Sequence, residues 1–147
     1  MFAGTSGPVN TPRFVFLDPR GPRFYIDWER IAREVVGVLR LEAGKNPLDR
    51  DLWQLIGELS TRSDDFRTWW GAHDVHVYLN GVKRLRHPVV GDLELAHERM
   101  DLPGDPGLTI VTYSAEPGSA SEDGLKLLSS WSATPANTAT PQVNAEN

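Results

Sequence analysis

Cysteine is absent from the chain, so no disulfide can staple it, no thiolate can ligate a metal and no thiol can act as a nucleophile. No stretch approaches the ~18 consecutive apolar residues of a membrane span. The opening Met1-Phe2-Ala3-Gly4-Thr5-Ser6 lacks the basic and apolar regions of a secretory signal, and a cytoplasmic address is expected. Basic charge is also scarce. Fifteen Lys and Arg face 20 Asp and Glu, a net charge of -5, whereas following a nucleic-acid backbone draws on surplus cations. There is no Gly-rich phosphate loop either. Pro103-Gly104-Asp105-Pro106-Gly107 carries an acid that repels phosphate and two prolines without N–H donors, so it reads as a turn.

What is present fits one globular domain: 147 residues, 39% hydrophobic and 24% charged, without an internal repeat. Residues 132–147 hold one Val and no larger apolar side chain, too little burial to offset ordering, so a disordered tail is expected there. Residues 1–12, rich in Gly, Pro, Thr and Ser, read as a flexible N-terminus. The folded unit is thus expected over 13–131.

Helical spacing opens at Asp27, an N-cap candidate, with Trp28, Ile31, Ala32, Val35 and Leu39 recurring until Gly44. Asn46-Pro47 has the cap-then-proline order of a second start, and Leu52, Leu55, Ile56 and Leu59 form its stripe. Ser63-Asp64-Asp65 predicts a third helix carrying Phe66, Trp69, Trp70 and His73. Alternation then replaces helical period. Val75, Val77 and Leu79 read as a strand, Asn80-Gly81 as a hairpin turn, Val82 to His87 as extended, and Pro88 to Gly91 as a turn. Leu93 to His97 and Thr109 to Tyr113 follow as strands, and Ser119-Ala120-Ser121-Glu122 is a capping box before Leu125, Leu128 and Trp131. Helices, a meander and a closing helix imply an α+β fold: an antiparallel sheet of about three or four strands with three to four helices.

Three constellations invite function. His73-Asp74-Val75-His76, with His87 and His97, holds metal-ligand residue types, but spacing does not make them converge, and no metal is expected. Asp74 with His76 or His97 has the makings of a base and its orienter in a cone-shaped α+β enzyme. In Lys83-Arg84-Leu85-Arg86-His87 a strand would alternate the cations between faces, leaving Arg84 and Arg86 together as a secondary anion subsite. Around Phe66-Arg67-Thr68-Trp69-Trp70 two readings stay open, core packing or the wall of an apolar pocket. The pocket reading takes Phe66, Arg67, Trp69, Trp70, His73, Tyr78, His97 and Tyr113 as ligand-binding residues.

Ordered blocks across the chain carry a family resemblance: Phe14-Val15-Phe16-Leu17-Asp18-Pro19-Arg20, Asp27-Trp28-Glu29-Arg30, Val38 to Gly44, Gly57-Glu58-Leu59-Ser60 and Phe66 to Trp70. They continue through His73-Asp74-Val75, Lys83-Arg84, His87-Pro88-Val89-Val90-Gly91, Thr112 to Ser119, Leu127-Leu128 and Trp131. The chain resembles the MmyB-like transcription regulator ligand-binding domain over about Arg13 to Trp131. The resemblance implies a PAS-like effector domain of a bacterial helix-turn-helix regulator, with fatty-acid-type ligands, no cofactor and no reaction. Such domains follow DNA-binding helices and the first strands of their sheet, neither of which precedes this stretch. The expectation is therefore a truncated sensor that does not bind DNA by itself. The alternative is a module that forms a homodimer, or pairs with a full-length regulator, through an open sheet edge.

Overall fold

The computed structural model describes residues 9–72, 80–105 and 107–132. Six helices and a three-stranded antiparallel sheet among these residues make the fold α+β. None of these helices is long and apolar enough to cross a membrane.

Helix α1 (Thr11–Leu17) starts where the Asn10 side chain accepts a hydrogen bond from the Arg13 N–H at 3.0 Å, with Pro12 in the first turn. Helix α2 (Gly21–Phe24) is a single turn. These two raise the helix count above the expected three to four. Their cap-and-proline signal is in the sequence, but Phe14, Val15, Phe16 and Leu17 are consecutive, so no helical period marks α1.

Helix α3 (Trp28–Lys45) buries Ile31, Ala32, Val36, Leu39 and Ala43. Asp27 occupies its N-cap position without capping it; the carboxylate instead accepts from the Arg84 guanidinium, Nε at 2.8 Å. The next start is corrected from Asn46-Pro47 to Asp49, whose side chain accepts from the Leu52 N–H at 3.0 Å and opens α4 (Arg50–Arg62). Asn46 closes α3, donating its N–H to Glu42 O at 2.9 Å, and is no longer free to begin another helix. Ser63 caps α5 (Asp64–Gly71) as expected, accepting from the Phe66 N–H at 3.2 Å.

The expected strand at Val75 to Leu79 lies outside the described residues. Asn80 and Gly81 belong to β1 (Asn80–His87), opposite Glu98 and His97, and do not form the expected turn. The hairpin turn is at Pro88 to Gly91, where Gly91 has φ 79°; only glycine takes such a φ without strain. Strand β2 (Gly91–Asp101) lies between β1 and β3 (Thr109–Ser114). Helix α6 (Ala120–Ser132) begins with the Ser119 hydroxyl accepting from the Glu122 N–H at 3.2 Å. The Glu122 carboxylate reaches Gly118 N at 2.8 Å, one residue earlier than a standard capping box. Beyond the end of β3, the Ser121 hydroxyl accepts from Glu94 N at 2.8 Å, which fastens α6 to β2. Leu125 and Leu128 are half-buried there, while Trp131 is exposed.

The core has two lobes. Val36, Leu39, Leu55, Ile56, Leu59 and Phe66 join α3, α4 and α5, while Phe14, Val15, Phe24, Tyr25, Ile31 and Ala32 join α1, α2 and α3. Phe16 and Trp69 pack against both. Gly21 lets α2 close on α1: a Cβ there would sit 2.4 Å from the Phe14 carbonyl oxygen and 3.0 Å from that of Val15. Backbone cannot step aside as a side chain can. Gly21→Ala should lower stability by about 1–3 kcal/mol, read as an earlier urea midpoint at unchanged m-value.

Candidate functional site

Alternation along β1 and β2 turns Lys83, Leu85, Leu93, Leu95 and His97 to one face, and the register sets Lys83 beside Leu95 and His97 beside both Gly81 and Tyr113. Helix α3 meets that face through charge. Glu34 is buried at 5% exposure; its Oε1 accepts from Arg30 Nη1 at 2.7 Å, and its Oε2 lies 3.9 Å from Lys83 Nζ. A carboxylate withdrawn from water is costly unless cations answer it. Arg30 also donates from Nη2 to the Val82 carbonyl at 2.7 Å, joining α3 to β1. A looser pair repeats the pattern further along, with Arg99 Nη2 3.9 Å from Glu42 Oε1.

Lys83 is the least settled member of this cluster. Burial pushes its pKa below the usual lysine value, Glu34 partly opposes the shift, and Arg30 adds to it. Its ammonium lies 5.9 Å from the centroid of the Tyr113 ring. His97, itself buried, holds its Nδ1 2.9 Å from the Gly81 carbonyl. A carbonyl only accepts, so Nδ1 carries the proton and Nε2 keeps its lone pair. The imidazole stacks on Tyr113 with centroids 6.2 Å apart. Burial, then the charge of Lys83, lowers the His97 pKa against the opposing Gly81 carbonyl. Tyr25 is pushed up to about 12, chiefly by burial and then by Tyr113 and Glu34, so its phenol stays protonated. The cluster of Tyr25, Arg30, Glu34, Lys83, His97 and Tyr113 is suited to orienting an anionic group, with one cation only loosely matched. Among the described residues, no group of three or more His, Asp or Glu is placed to hold a metal ion.

The residues expected from the sequence divide. His97 and Tyr113 come together on the sheet. Phe66 is fully enclosed, edge-on to Phe16 at 5.0 Å and stacked on Trp70 at 5.6 Å. Trp70 is half-buried beneath the Arg40 guanidinium, 4.8 Å from its ring centroid, while Arg40 Nη2 donates to the Trp70 carbonyl at 2.6 Å. Trp69 packs against Phe16 and Trp28 under Arg33, at 4.7 Å. Arg67 is exposed and donates to Asp64 at 2.7 Å. His73 and Tyr78, with Asp74 and His76, lie outside the described residues. Arg84 and Arg86 are spent on Asp27 and Asp92 at the exposed face, so the inward cation of β1 is Lys83. Tyr25, Arg30, Glu34 and Lys83 were not singled out by sequence. The available signal was Glu34, a carboxylate one position before Val35 in the apolar stripe of α3.

A recess of about 400 Å³ opens between α1 and α4, with Phe14 and Leu17 among its apolar lining and Arg13, Arg20 and Arg62 among its charged residues. Its arginines have partners: Glu58 accepts from both Arg13 and Arg62 at 2.8 Å, and Asp18 takes Arg20 at 2.6 Å.

Residues 1–128 match the family model described as the MmyB-like transcription regulator ligand binding domain. No curated protein matches the chain.

A depressed His97 pKa has a thermodynamic consequence. Between the folded pKa and the ordinary value of 6.5, the unfolded chain binds more protons than the folded one, so stability falls as pH drops through that window. Replacing His97 with Gln should shrink the loss of urea midpoint between neutral and mildly acidic pH, a comparison of two denaturation series.

Proposed function

The chain belongs to the MmyB-like transcription regulator ligand binding domain family, and from that membership we propose that it senses an apolar small molecule with an acidic head, a fatty acid being the simplest case. Membership in a ligand-binding family speaks for binding rather than turnover. The observation that carries the choice of head group is Lys83: a largely desolvated ammonium whose nearest carboxylate lies 3.9 Å away and is already bonded to Arg30 at 2.7 Å. A ligand carboxylate would supply the charge-assisted hydrogen bond that Glu34 does not. His97 and Tyr113 would flank the head group.

The apolar body follows α3. Arg33 and Arg40, which cover Trp69 and Trp70, are seven residues apart and therefore share one side of the helix, next to the side bearing Arg30 and Glu34. A chain-like ligand lying along α3 would run from the sheet cluster toward the half-buried rings of α5. Phe66 would support that wall from behind through its stack on Trp70. In a regulator, such a ligand acts only by binding one conformation better than another.

Dodecanoate and dodecanol share a tail and differ at the head, so titrating both by calorimetry tests the reading. Dodecanoate should bind more tightly, and Lys83→Met should weaken it at least about tenfold, the loss of one hydrogen bond to a charged group, while leaving dodecanol nearly unchanged. Equal affinities in both proteins, or no saturable binding, would refute the proposal.

A further inference from the structure

The chain has three lysines, and their surroundings divide them. Lys45 and Lys126 stand in solvent, their side chains 49% and 65% exposed, each paired at 3.1 Å with a glutamate on its own helix, Glu42 and Glu122. Lys83 is only 18% exposed, and Glu34 Oε2 lies 3.9 Å from its Nζ, beyond hydrogen-bond length. Burial lowers the Lys83 pKa, so its free amine is reached at lower pH than is usual for lysine. His97 is its diagonal neighbour across the β1–β2 pair, on the same face and within reach of a long side chain. Alternation along β3 puts Val111 and Tyr113 on that face too, both exposed, with the Tyr113 ring centroid 5.9 Å from Nζ.

We propose that Lys83 is a reversible covalent site for an apolar aldehyde, held as an imine on Nζ. A desolvated lysine amine is a nucleophile suited to carbonyl compounds. The ammonium gives one proton, directly or through water, to His97 Nε2, whose lone pair is left free by the Nδ1 bond to Gly81. The Nζ lone pair then attacks the carbonyl carbon, the π electrons of the C=O bond move to oxygen, and a proton passes from nitrogen to that oxygen. His97 returns its proton, the C–O bond breaks, water leaves, and the nitrogen lone pair closes the C=N bond. One ammonium and one aldehyde thus become one iminium and one water, with charge conserved. Glu34 Oε2 faces a cation before and after. Carbon dioxide would instead turn the amine into an anionic carbamate opposite Glu34, a like-charge contact. The aldehyde's chain lies along Tyr113 and Val111. The inference stands apart from the carboxylate reading of the same lysine, since it needs the free amine rather than the ammonium.

Treating the full chain with decanal and cyanoborohydride, which reduces the imine to a stable secondary amine, and mapping the products by peptide mass spectrometry tests it. Lys83 should be labelled several-fold faster than Lys45 and Lys126. With propanal, which lacks a chain to place on Tyr113 and Val111, that preference should shrink. Lys83→Arg should remove the favoured label and leave Lys45 and Lys126 at their former rates, and the mapping on the unaltered chain stands even if that variant folds poorly. Equal labelling of the three lysines, or slower labelling of Lys83, overturns the inference. Dodecanoate binding without preferential labelling of Lys83 sinks this inference alone, whereas preferential labelling without dodecanoate binding supports it and sinks the carboxylate reading.

Discussion

Glu34 must be answered. Its carboxylate is held at 5% exposure on a helix whose other buried positions are apolar, and a solitary charge there would make α3 untenable against the sheet. Arg30 answers from one helical turn away and at the same time takes the Val82 carbonyl, so one guanidinium neutralises the acid and ties helix to strand. Lys83 answers from β1 at a longer distance. Tyr25 and His97 are buried beside these charges, and burial more than the charges pushes the Tyr25 pKa up to about 12 and lowers that of His97. The helical and sheet parts are thus joined at this point by electrostatics, in contrast to the aromatic packing that joins α1, α3 and α5. Under the proposed function, a carboxylate added to this joint would redistribute the same few hydrogen bonds.

The aromatic lobe has the opposite character. Phe16, Phe66, Trp69 and Trp28 meet edge-on or tilted; Phe66, the fully buried one, is worth roughly 1.5–3 kcal/mol by burial alone. Arg33 and Arg40 lie over the outer rings and shield them. Stability is concentrated in the helices, while β3 has exposed residues on both faces.

Local signals were legible wherever they depended on neighbours in sequence. Ser63 before two acids marked α5, the alternation from Leu93 to His97 marked β2, and the α+β order of elements followed from the change of period. The family could be read from blocks such as His87 to Gly91. Signals failed where two roles competed for one residue: Asn46 has the chemistry of an N-cap but closes α3, and Asp27 leaves its capping role for Arg84 in β1. The site was half legible. His97 and Tyr113 stand out by residue type and do meet, and Glu34 interrupts the apolar side of α3, but Lys83 becomes informative only once α3 is laid against β1, an event with no signature in local spacing. Strand alternation alone separated Lys83 from Arg84 and Arg86, without saying which face turned inward.

Under the proposed function, a ligand carboxylate enters the joint between α3 and the sheet. Backbone amide shifts recorded by NMR during a decanoate titration test it most directly. Saturable shifts concentrated at Glu34, Lys83, His97 and Tyr113 are expected. Shifts concentrated instead along Val9 to Arg20 and at Glu58 and Arg62, in the recess between α1 and α4, would contradict it.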